Sequence, residues 1–369
     1  MCKKILVAVL TVAILLISIV VVWASQDDKD VDKNVVGAVY TMTNDPGGNQ
    51  VVIFNRTDDG LLTKAGSIST QGTGSGGGLD PLGSQGSLVL SEGHRWLLAV
   101  NAGSNEISVF QVLPGGLKFV DKVGSGGVLP VSLTVFHDLV YVLNAGSPNI
   151  TGFNLSYDGK LTRLAGSTRS LVSTGTFAQV GFDRKGKTLV VTDKADSNIL
   201  VYSVDHDGLP ATNPVTSPSN GATPFGFIFD QWGYLVVVQV GDDAVSSYSV
   251  LNNDTLKVIS PSVLDGQKAS CWIVGNELGY IYTANPGTSN ISAYKIDAEN
   301  GTLTLLNGIA GLGNTPLDMA IPRNDQFLYA VDPANSGIDM FQIESNGSLT
   351  NLGTAPGGLS TYAEGVAAR

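Results

Sequence analysis

Two acidic residues that occupy matching positions of two repeated segments are the first candidates for chemistry. Asp318 lies in residues 316–321 and Glu364 lies in residues 362–368, and the two segments align with each other. If the carboxylates are neighbours, their repulsion separates their pKa values and creates an acid–base pair. The same oxygens, with nearby carbonyls, could hold a divalent cation such as Ca²⁺. The alternative is that both carboxylates are solvated and have no chemical role.

Four further residues are candidate substrate contacts. Ser132 and Gln179 occupy the same aligned position as the two carboxylates, in other copies of the segment. Arg169 and Lys268 fall in connecting loops, where a cation could bind a carboxylate of a ligand. Arg169 is equally compatible with an exposed loop residue that binds nothing.

These residues belong to a repeat that runs through most of the chain. In each copy an aliphatic strand ends in a polar residue, a loop of small residues follows, and a second strand carries an aromatic residue; residues 97–110, 140–153 and 281–294 are the clearest copies. The polar residues, spaced by 43 to 57 positions, are Asn44, Asn101, Asn144, Asp193, Gln239, Asn285 and Asp332. A period of this length with several strands per copy is typical of propeller blades. The sequence therefore predicts an all-β, seven-bladed β-propeller.

Each copy divides into four antiparallel strands, named a to d. The turn between strands c and d usually contains Asp-Gly, Asn-Gly or Gly-Gly, as at Asp59-Gly60 and Asn346-Gly347. Such pairs adopt the positive φ angles of a tight hairpin at little steric cost. The fifth copy, with Asn253-Asp254, matches least well.

The two ends of the chain are predicted to meet in one blade. The first copy has no strand a before Val35, whereas residues 362–368 align with the a strands of other copies. We therefore expect the C-terminal strand to complete the N-terminal blade and to remove the free sheet edges.

In a propeller, the b–c loops and the d-to-a connections lie on one face, here called the loop face. The a–b and c–d turns lie on the other, here called the hairpin face. The loop-face connections are longer and more varied, so we expect the ligand site at the loop-face mouth of the channel. His94, His137 and His206 all fall in hairpin-face turns, which leaves Cys271 without a predicted histidine base.

The N-terminus resembles an export signal. Lys3 and Lys4 precede a mainly apolar run from Ile5 to Trp23, and Val22 and Ala24 fit a small-residue cleavage site. Residues 1–24 are therefore predicted to be a signal peptide, with an uncleaved membrane anchor as the alternative, because the run approaches the ~20 residues that span a bilayer. Residues 25–34 form an acidic linker and residues 35–369 a single propeller. We expect a secreted or cell-surface protein.

Charge and composition narrow the partners. The formal net charge is −11, and it becomes −13 when the two lysines of residues 1–24 are removed. Such a charge repels nucleic acid, which we exclude as a partner, and a membrane is expected only if the N-terminal segment is uncleaved. Seven Asn-x-Ser/Thr sequons are potential glycosylation sites, at Asn55, Asn149, Asn154, Asn253, Asn290, Asn300 and Asn346.

Four segments carry a resemblance to a known family: residues 85–91, 140–147, 222–227 and 327–333, the second reading Val-Tyr-Val-Leu-Asn-Ala-Gly-Ser. They resemble the lactonase-type seven-bladed propellers, which include 6-phosphogluconolactonase and the 3-carboxymuconate-lactonising enzymes. The resemblance extends over residues 35–369 and implies a lactonase or a lactone-forming isomerase. A phosphorylated lactone normally requires a cluster of cations, which the loop-face connections lack.

Two functions follow from these observations. The first is an extracytoplasmic lactonase-like hydrolase or isomerase, with Asp318 or Glu364 activating water at the channel mouth, with or without a divalent ion. Its substrate would be a small neutral or weakly acidic lactone. The second is a non-catalytic surface propeller that binds an extracellular protein, glycan or matrix component. No cofactor is required by the sequence.

Overall fold

A computed structural model describes residues 34–171 and 175–369. These residues form seven antiparallel sheets, each with its strands in the spatial order a-b-c-d from the channel outwards. The predicted seven-bladed β-propeller of four-stranded blades is confirmed. The third sheet differs slightly, because its outer strand is split into two short pieces that both pair with strand c.

The strands follow the chain in order, except that the inner strand of blade 1 comes last, and each blade has four strands except blade 3, which has five. Blades 1 to 3 contain β1 (Val35–Met42), β2 (Gln50–Thr57), β3 (Leu62–Ser69), β4 (Leu88–Leu90), β5 (Trp96–Asn101), β6 (Glu106–Leu113), β7 (Gly116–Gly124), β8 (Pro130–Phe136), β9 (Leu139–Asn144), β10 (Asn149–Leu155), β11 (Leu161–Arg163) and β12 (Arg169–Ser170). Blades 4 and 5 contain β13 (Phe177–Phe182), β14 (Thr188–Asp193), β15 (Asn198–Ser203), β16 (Val215–Pro218), β17 (Pro224–Phe229), β18 (Leu235–Gln239), β19 (Ala244–Val250) and β20 (Leu256–Leu264). Blades 6 and 7 contain β21 (Trp272–Gly275), β22 (Tyr280–Asn285), β23 (Asn290–Ile296), β24 (Leu303–Leu312), β25 (Met319–Ala320), β26 (Phe327–Asp332), β27 (Gly337–Ile343) and β28 (Leu349–Pro356), and β29 (Glu364–Ala368) returns to blade 1. Two short 3₁₀ turns, Glu92–His94 and Pro333–Asn335, complete the set.

The ring closes as predicted from the repeat alignment. Strand β29 pairs antiparallel with β1, from Val39 opposite Ala368 to Met42 opposite Glu364. The backbone carbonyl of Arg369 accepts hydrogen bonds from the Ala38 N–H at 3.1 Å and from the Arg56 Nε at 3.1 Å. The last residues of the chain therefore form the inner strand of the first blade.

A repeated contact joins neighbouring blades near the hairpin face. Tyr282, in strand b of blade 6, donates its hydroxyl hydrogen bond to the carbonyl of Gly347 in the c–d turn of blade 7, at 3.0 Å. Tyr329 makes the same bond from blade 7 to Gly60 of blade 1, at 2.9 Å. Gly60 has a φ of +83°, and a Cβ there would lie 2.2 Å from the ring of Phe327. The turn glycines are thus required by both backbone conformation and blade packing.

The predicted signal peptide or anchor (residues 1–24) and nearly all of the predicted linker lie outside the described residues. Within the ranges that are described, no helix is both long and apolar enough to cross a bilayer.

Candidate functional site

The long connection between blades 1 and 2 turns into the central channel. Residues 80–86 of this connection, here called the channel plug, hydrogen-bond to the inner strands of other blades. The Ser84 carbonyl accepts from the indole N–H of Trp272 at 2.8 Å, and the Ser84 hydroxyl donates to the Val131 carbonyl at 2.8 Å. The Gln85 side chain pairs with the backbone N–H and carbonyl of Ile273, both at 2.9 Å. The plug therefore ties blades 3 and 6 together across the channel.

The plug changes the expected position of the site. Leu82, Ser84 and the aligned inner-strand residues Ser132 and Glu364 are all buried. The expectation of an open mouth on the loop face was wrong, because residues 80–86 fill it. Hydrogen bonds to several blades anchor these residues.

Asp318 and Glu364 do come together, beneath the plug. Asp318 Oδ2 accepts a hydrogen bond from the Gly365 N–H at 2.9 Å, and Glu364 Oε2 accepts one from the Leu82 N–H at 3.1 Å. Asp318 is 4% exposed and Glu364 is 0% exposed. The two carboxyls are therefore packed into the protein and do not project into open water.

A third carboxyl and one lysine complete this buried cluster. Burial raises the pKa of Asp318 to about 8 and that of Asp80, on the plug, to about 7, the latter opposed by the charge of Lys194. Burial, with the repulsion of Asp80 and Asp318, also raises the pKa of Glu364. Lys194 donates to the Gly83 carbonyl at 2.5 Å, and its ammonium is 5.1 Å from the ring centroid of Phe225. Lys194 is thus the cation that compensates the cluster.

The structure gives limited support to the metal site expected at Asp318 and Glu364. Among the residues described, Glu364 Oε1 and Asp80 Oδ1 are buried and accept no hydrogen bond. In the same ranges, the side chains that converge closely enough to share one ion are the exposed Asp205, His206 and Asp207. The ammonium of Lys194 already supplies positive charge near the buried oxygens, so the metal stays a prediction.

The open part of the channel is a cavity of about 400 Å³. Its floor includes Gln85 of the plug and Asp318, its walls are inner-strand residues such as Val135 and Phe182, and its rim contains His94 and Arg184. Both rim residues belong to a–b turns, so the cavity opens on the hairpin face. A concave cavity in which polar groups converge between apolar walls is a candidate small-molecule site.

His94 contributes an imidazole that is neutral around neutral pH. Burial, assisted by the positive charges of Arg323 and Arg369, lowers the pKa of His94. Asp318, at the same cavity, has its pKa moved in the opposite direction. A neutral base and a protonated carboxyl around one cavity is the pattern from which acid–base roles are assigned.

The other predicted contacts occupy different places. Gln179 lines the cavity, but its amide group binds the N–H and the carbonyl of Phe227, at 2.7 and 3.0 Å. Ser132 donates to the Gln85 carbonyl at 2.7 Å and helps to hold the plug. Arg169 donates to backbone carbonyls, including Ala211 at 2.8 Å, and Lys268 pairs with Asp243 on the loop face at 3.0 Å. Arg169 and Lys268 are therefore not brought to the cavity.

The buried carboxyls give the first testable prediction. Asp80 and Asp318 have pKa values of about 7 and about 8 in the folded protein, against an ordinary value of 3.8. Because the pKa of each carboxyl is higher in the folded protein than in the unfolded chain, protonation favours the folded state. This contribution to the free energy of unfolding is complete below the ordinary pKa of 3.8 and is lost as the pH rises through the pKa of the folded protein. We expect the free energy of unfolding to fall between about pH 4 and pH 8, by up to ~1.4 kcal/mol per pH unit for each group.

Urea denaturation across this pH range measures the effect. Asp318→Asn should flatten the profile, whereas Asp207→Asn, at an exposed carboxyl, should leave it unchanged. A wild-type stability that rises towards pH 8 would contradict the proposed protonation.

Asp80, Lys194 and His94 were not selected as site residues from the sequence. The sequence did contain an indication of the plug. Residues 79–82, Leu-Asp-Pro-Leu, place apolar side chains within a glycine-rich connection, and apolar side chains in a connection indicate that it packs against the protein. The sequence carries no comparable signal for Lys194, and His94 falls in a turn on the face opposite to the expected opening.

Comparisons with known proteins agree with this architecture. Residues 252–361 match the family model described as "Lactonase, 7-bladed beta-propeller". A search among curated protein sequences returned no match.

Solved structures show the same fold at low sequence identity. A Bacteroides fragilis protein provisionally described as a 6-phosphogluconolactonase superposes with a TM-score of 0.72 at 17% identity, covering 90% of this chain and 98% of its own. The Pseudomonas aeruginosa periplasmic gluconolactonase gives a TM-score of 0.69 at 15% identity, covering 88% and 98%. At these identities the likeness establishes the fold. Together with the seven closed blades, these comparisons show that the chain has the fold of the lactonase-type seven-bladed β-propellers and that its residues 252–361 match the model of that family.

Proposed function

We propose that this protein is a lactonase-like hydrolase that works outside the cytoplasm and binds a small neutral or weakly acidic lactone in the central cavity. The observation that carries the proposal is that Asp318, at the floor, and His94, at the rim, both line one cavity of about 400 Å³ that opens on the hairpin face. The match of residues 252–361 to the lactonase propeller model supports the reaction class. The basic and apolar start of the sequence supports export, as does the structural likeness to a periplasmic gluconolactonase.

The residues suggest how the reaction would proceed. Water adds to the lactone carbonyl, the acyl C–O bond breaks, and a hydroxy acid is released. Neutral His94 would accept the proton of the attacking water, and protonated Asp318 would donate to an oxygen of the substrate. The guanidinium of Arg184, at the rim, would stabilise negative charge that develops on the carbonyl oxygen.

A lactone-hydrolysis panel that includes glucono-1,5-lactone tests the proposal. Asp318→Asn and His94→Gln should each reduce kcat/KM about 100-fold, because each removes one partner of proton transfer. The wild-type pH profile should be bell-shaped, falling below the lowered pKa of His94 and above about 8, the pKa of Asp318.

His137→Gln is the matched control, because His137 is also in a hairpin-face turn but is exposed and pairs with Glu92 at 2.8 Å. Its rate should equal that of the wild type. Hydrolysis that is unaffected in both cavity variants would reject this assignment.

A non-catalytic binding protein is the second candidate. Two of the predicted substrate contacts favour it, because the polar atoms of Ser132 and Gln179 are used in hydrogen bonds within the protein.

Glycosylation is compatible with either function. Four sequon asparagines are exposed, and they are Asn154, Asn253, Asn300 and Asn346. Asn149 and Asn290 are buried and hydrogen-bonded, so mass spectrometry of the secreted protein should find glycans only at the exposed set.

A further inference from the structure

Trp232 separates two clefts on the hairpin face, outside the central cavity. It lies in the a–b turn of blade 5 and is 40% exposed, which is unusual for the largest aromatic side chain. The cleft on one side, here called the basic cleft, has a volume of about 560 Å³, and the cleft on the other side, here called the polar cleft, about 460 Å³. Because Trp232 lines both clefts, they form consecutive compartments around one indole ring.

The turn that carries Trp232 is held in place by its own hydrogen bonds. Asp230 Oδ1 accepts from the N–H groups of Trp232 and Tyr234, at 3.0 and 2.8 Å. A Cβ at Gly279, in the next blade, would lie 2.7 Å from the indole ring, so the ring packs against a backbone that has no side chain there. The indole is therefore prepositioned, and binding would require little ordering of this side chain.

Cationic side chains line the basic cleft. Arg184, Lys185 and Lys187 come from the a–b turn of blade 4, in a chain whose net charge is −11. Lys185 and Lys187 are exposed and form no ion pair within the described residues. The carboxylate of Asp183 is engaged by the N–H groups of Lys187 and Thr188, at 2.7 and 2.9 Å. Arg184 is paired with Glu277 at 2.9 Å and Asp254 also lines the cleft, so Lys185 and Lys187 are the cations that it offers to an anionic ligand.

The polar cleft offers hydrogen-bonding groups. Asp297, Asn300 and Thr302 line it, together with exposed Leu278 beside the indole. Hydroxyl-rich ligands are recognised by such carboxylate, amide and hydroxyl groups, and sugar rings present an apolar face that packs on aromatic rings.

We propose that these two clefts bind an acidic oligosaccharide, with one sugar ring packed on Trp232, a carboxylate-bearing unit in the basic cleft and a hydroxyl-rich unit in the polar cleft. The prepositioned indole favours a sugar ring. The two lysines, which form no ion pair within the described residues, favour an acidic sugar over a neutral one. The test is separate from the hydrolytic proposal, because Trp232, Lys185 and Lys187 do not line the central cavity, although Arg184 lines both that cavity and the basic cleft.

Calorimetric titration with an oligogalacturonate, and with an uncharged oligosaccharide of the same length, tests the site. The full chain is produced in a host that does not glycosylate asparagine, because a glycan on Asn300 would enter the polar cleft. Trp232→Ala should weaken oligogalacturonate binding about thirtyfold, in line with aromatic anchors at binding centres. A Lys185→Ser/Lys187→Ser double variant should weaken it about tenfold and reduce its salt dependence.

Tyr157→Ala is the matched control, because Tyr157 is an aromatic residue on the hairpin face that is 83% exposed and remote in sequence from both clefts. It should bind like the wild type. Unchanged melting temperatures would show that the variants are folded. The Lys185→Ser/Lys187→Ser variant tests the site without disturbing packing, because both lysines are exposed. Absence of wild-type binding, equal affinity for the uncharged ligand, or full affinity in Trp232→Ala would each overturn the proposal. None of these outcomes would bear on the lactonase proposal, because Trp232, Lys185 and Lys187 do not line the central cavity.

Discussion

Deletion of residues 360–369 is expected to abolish the cooperative unfolding of the propeller. The deletion removes β29, the inner strand of blade 1, and leaves the inner edge of β1 unpaired. It exposes buried β1 residues such as Tyr40 and Met42, which belong to the core between blades. It also removes Glu364, which binds the plug through Leu82. We expect a loss of more than about 5 kcal/mol, comparable to the whole stability of many domains.

Differential scanning calorimetry measures this loss directly, or solubility does if the truncated chain aggregates at its exposed edge. A synthetic peptide of residues 360–369, added during refolding, should restore a sharp transition by supplying the missing strand. A peptide of the same composition in scrambled order is the control. A truncated protein that melts sharply without the peptide would refute the closure of the ring by β29.

Replacement of Lys194 by methionine is expected to destabilise the fold by about 3 kcal/mol near neutral pH, because it leaves buried acidic groups without their cation. Lys194 offsets the charge of Asp80 and Glu364, and its own pKa is lowered by burial. The effect should shrink towards pH 5, where Asp80, whose pKa is about 7 in the folded protein, is protonated.

Lys268→Met is the matched control, since Lys268 also sits on the loop face and pairs with Asp243 but is 73% exposed. Exposed pairs contribute ~0–1 kcal/mol. Denaturant unfolding at two pH values compares the variants, and Asp80→Asn in the Lys194→Met background should recover part of the loss. Equal stabilities of the Lys194 and Lys268 variants would show that the buried cluster is not compensated by Lys194.

The plug also explains why the cavity and the loop face are separate. Its hydrogen bonds to Trp272, Ile273, Val131 and Glu364 join residues that are far apart in the chain. A ligand that enters from the hairpin face meets Asp318 and the amide of Gln85 at the floor. Within residues 34–171 and 175–369, the plug separates the loop face from this cavity, so we expect water and substrate to reach these groups from the hairpin face.

The sequence by itself determined the architecture. The spacing of residues such as Asn101, Asn144 and Asn285, the glycine turns, and the alignment of residues 362–368 with other inner strands predicted seven blades and their closure. These features are local or strictly periodic, so they can be recognised without knowing any long-range contact. The same alignment placed Asp318 and Glu364 in neighbouring blades, where the structure has them.

Only the tertiary structure decided which end of the channel is open. The direction of residues 80–86 depends on contacts such as Leu82 with Glu364, which are 282 positions apart, and no repeat fixes the path of a connection between blades. The protonation of Asp318, Asp80 and His94 likewise depends on burial by residues from other blades. Desolvation is a property of the assembled fold, and the sequence does not encode it residue by residue.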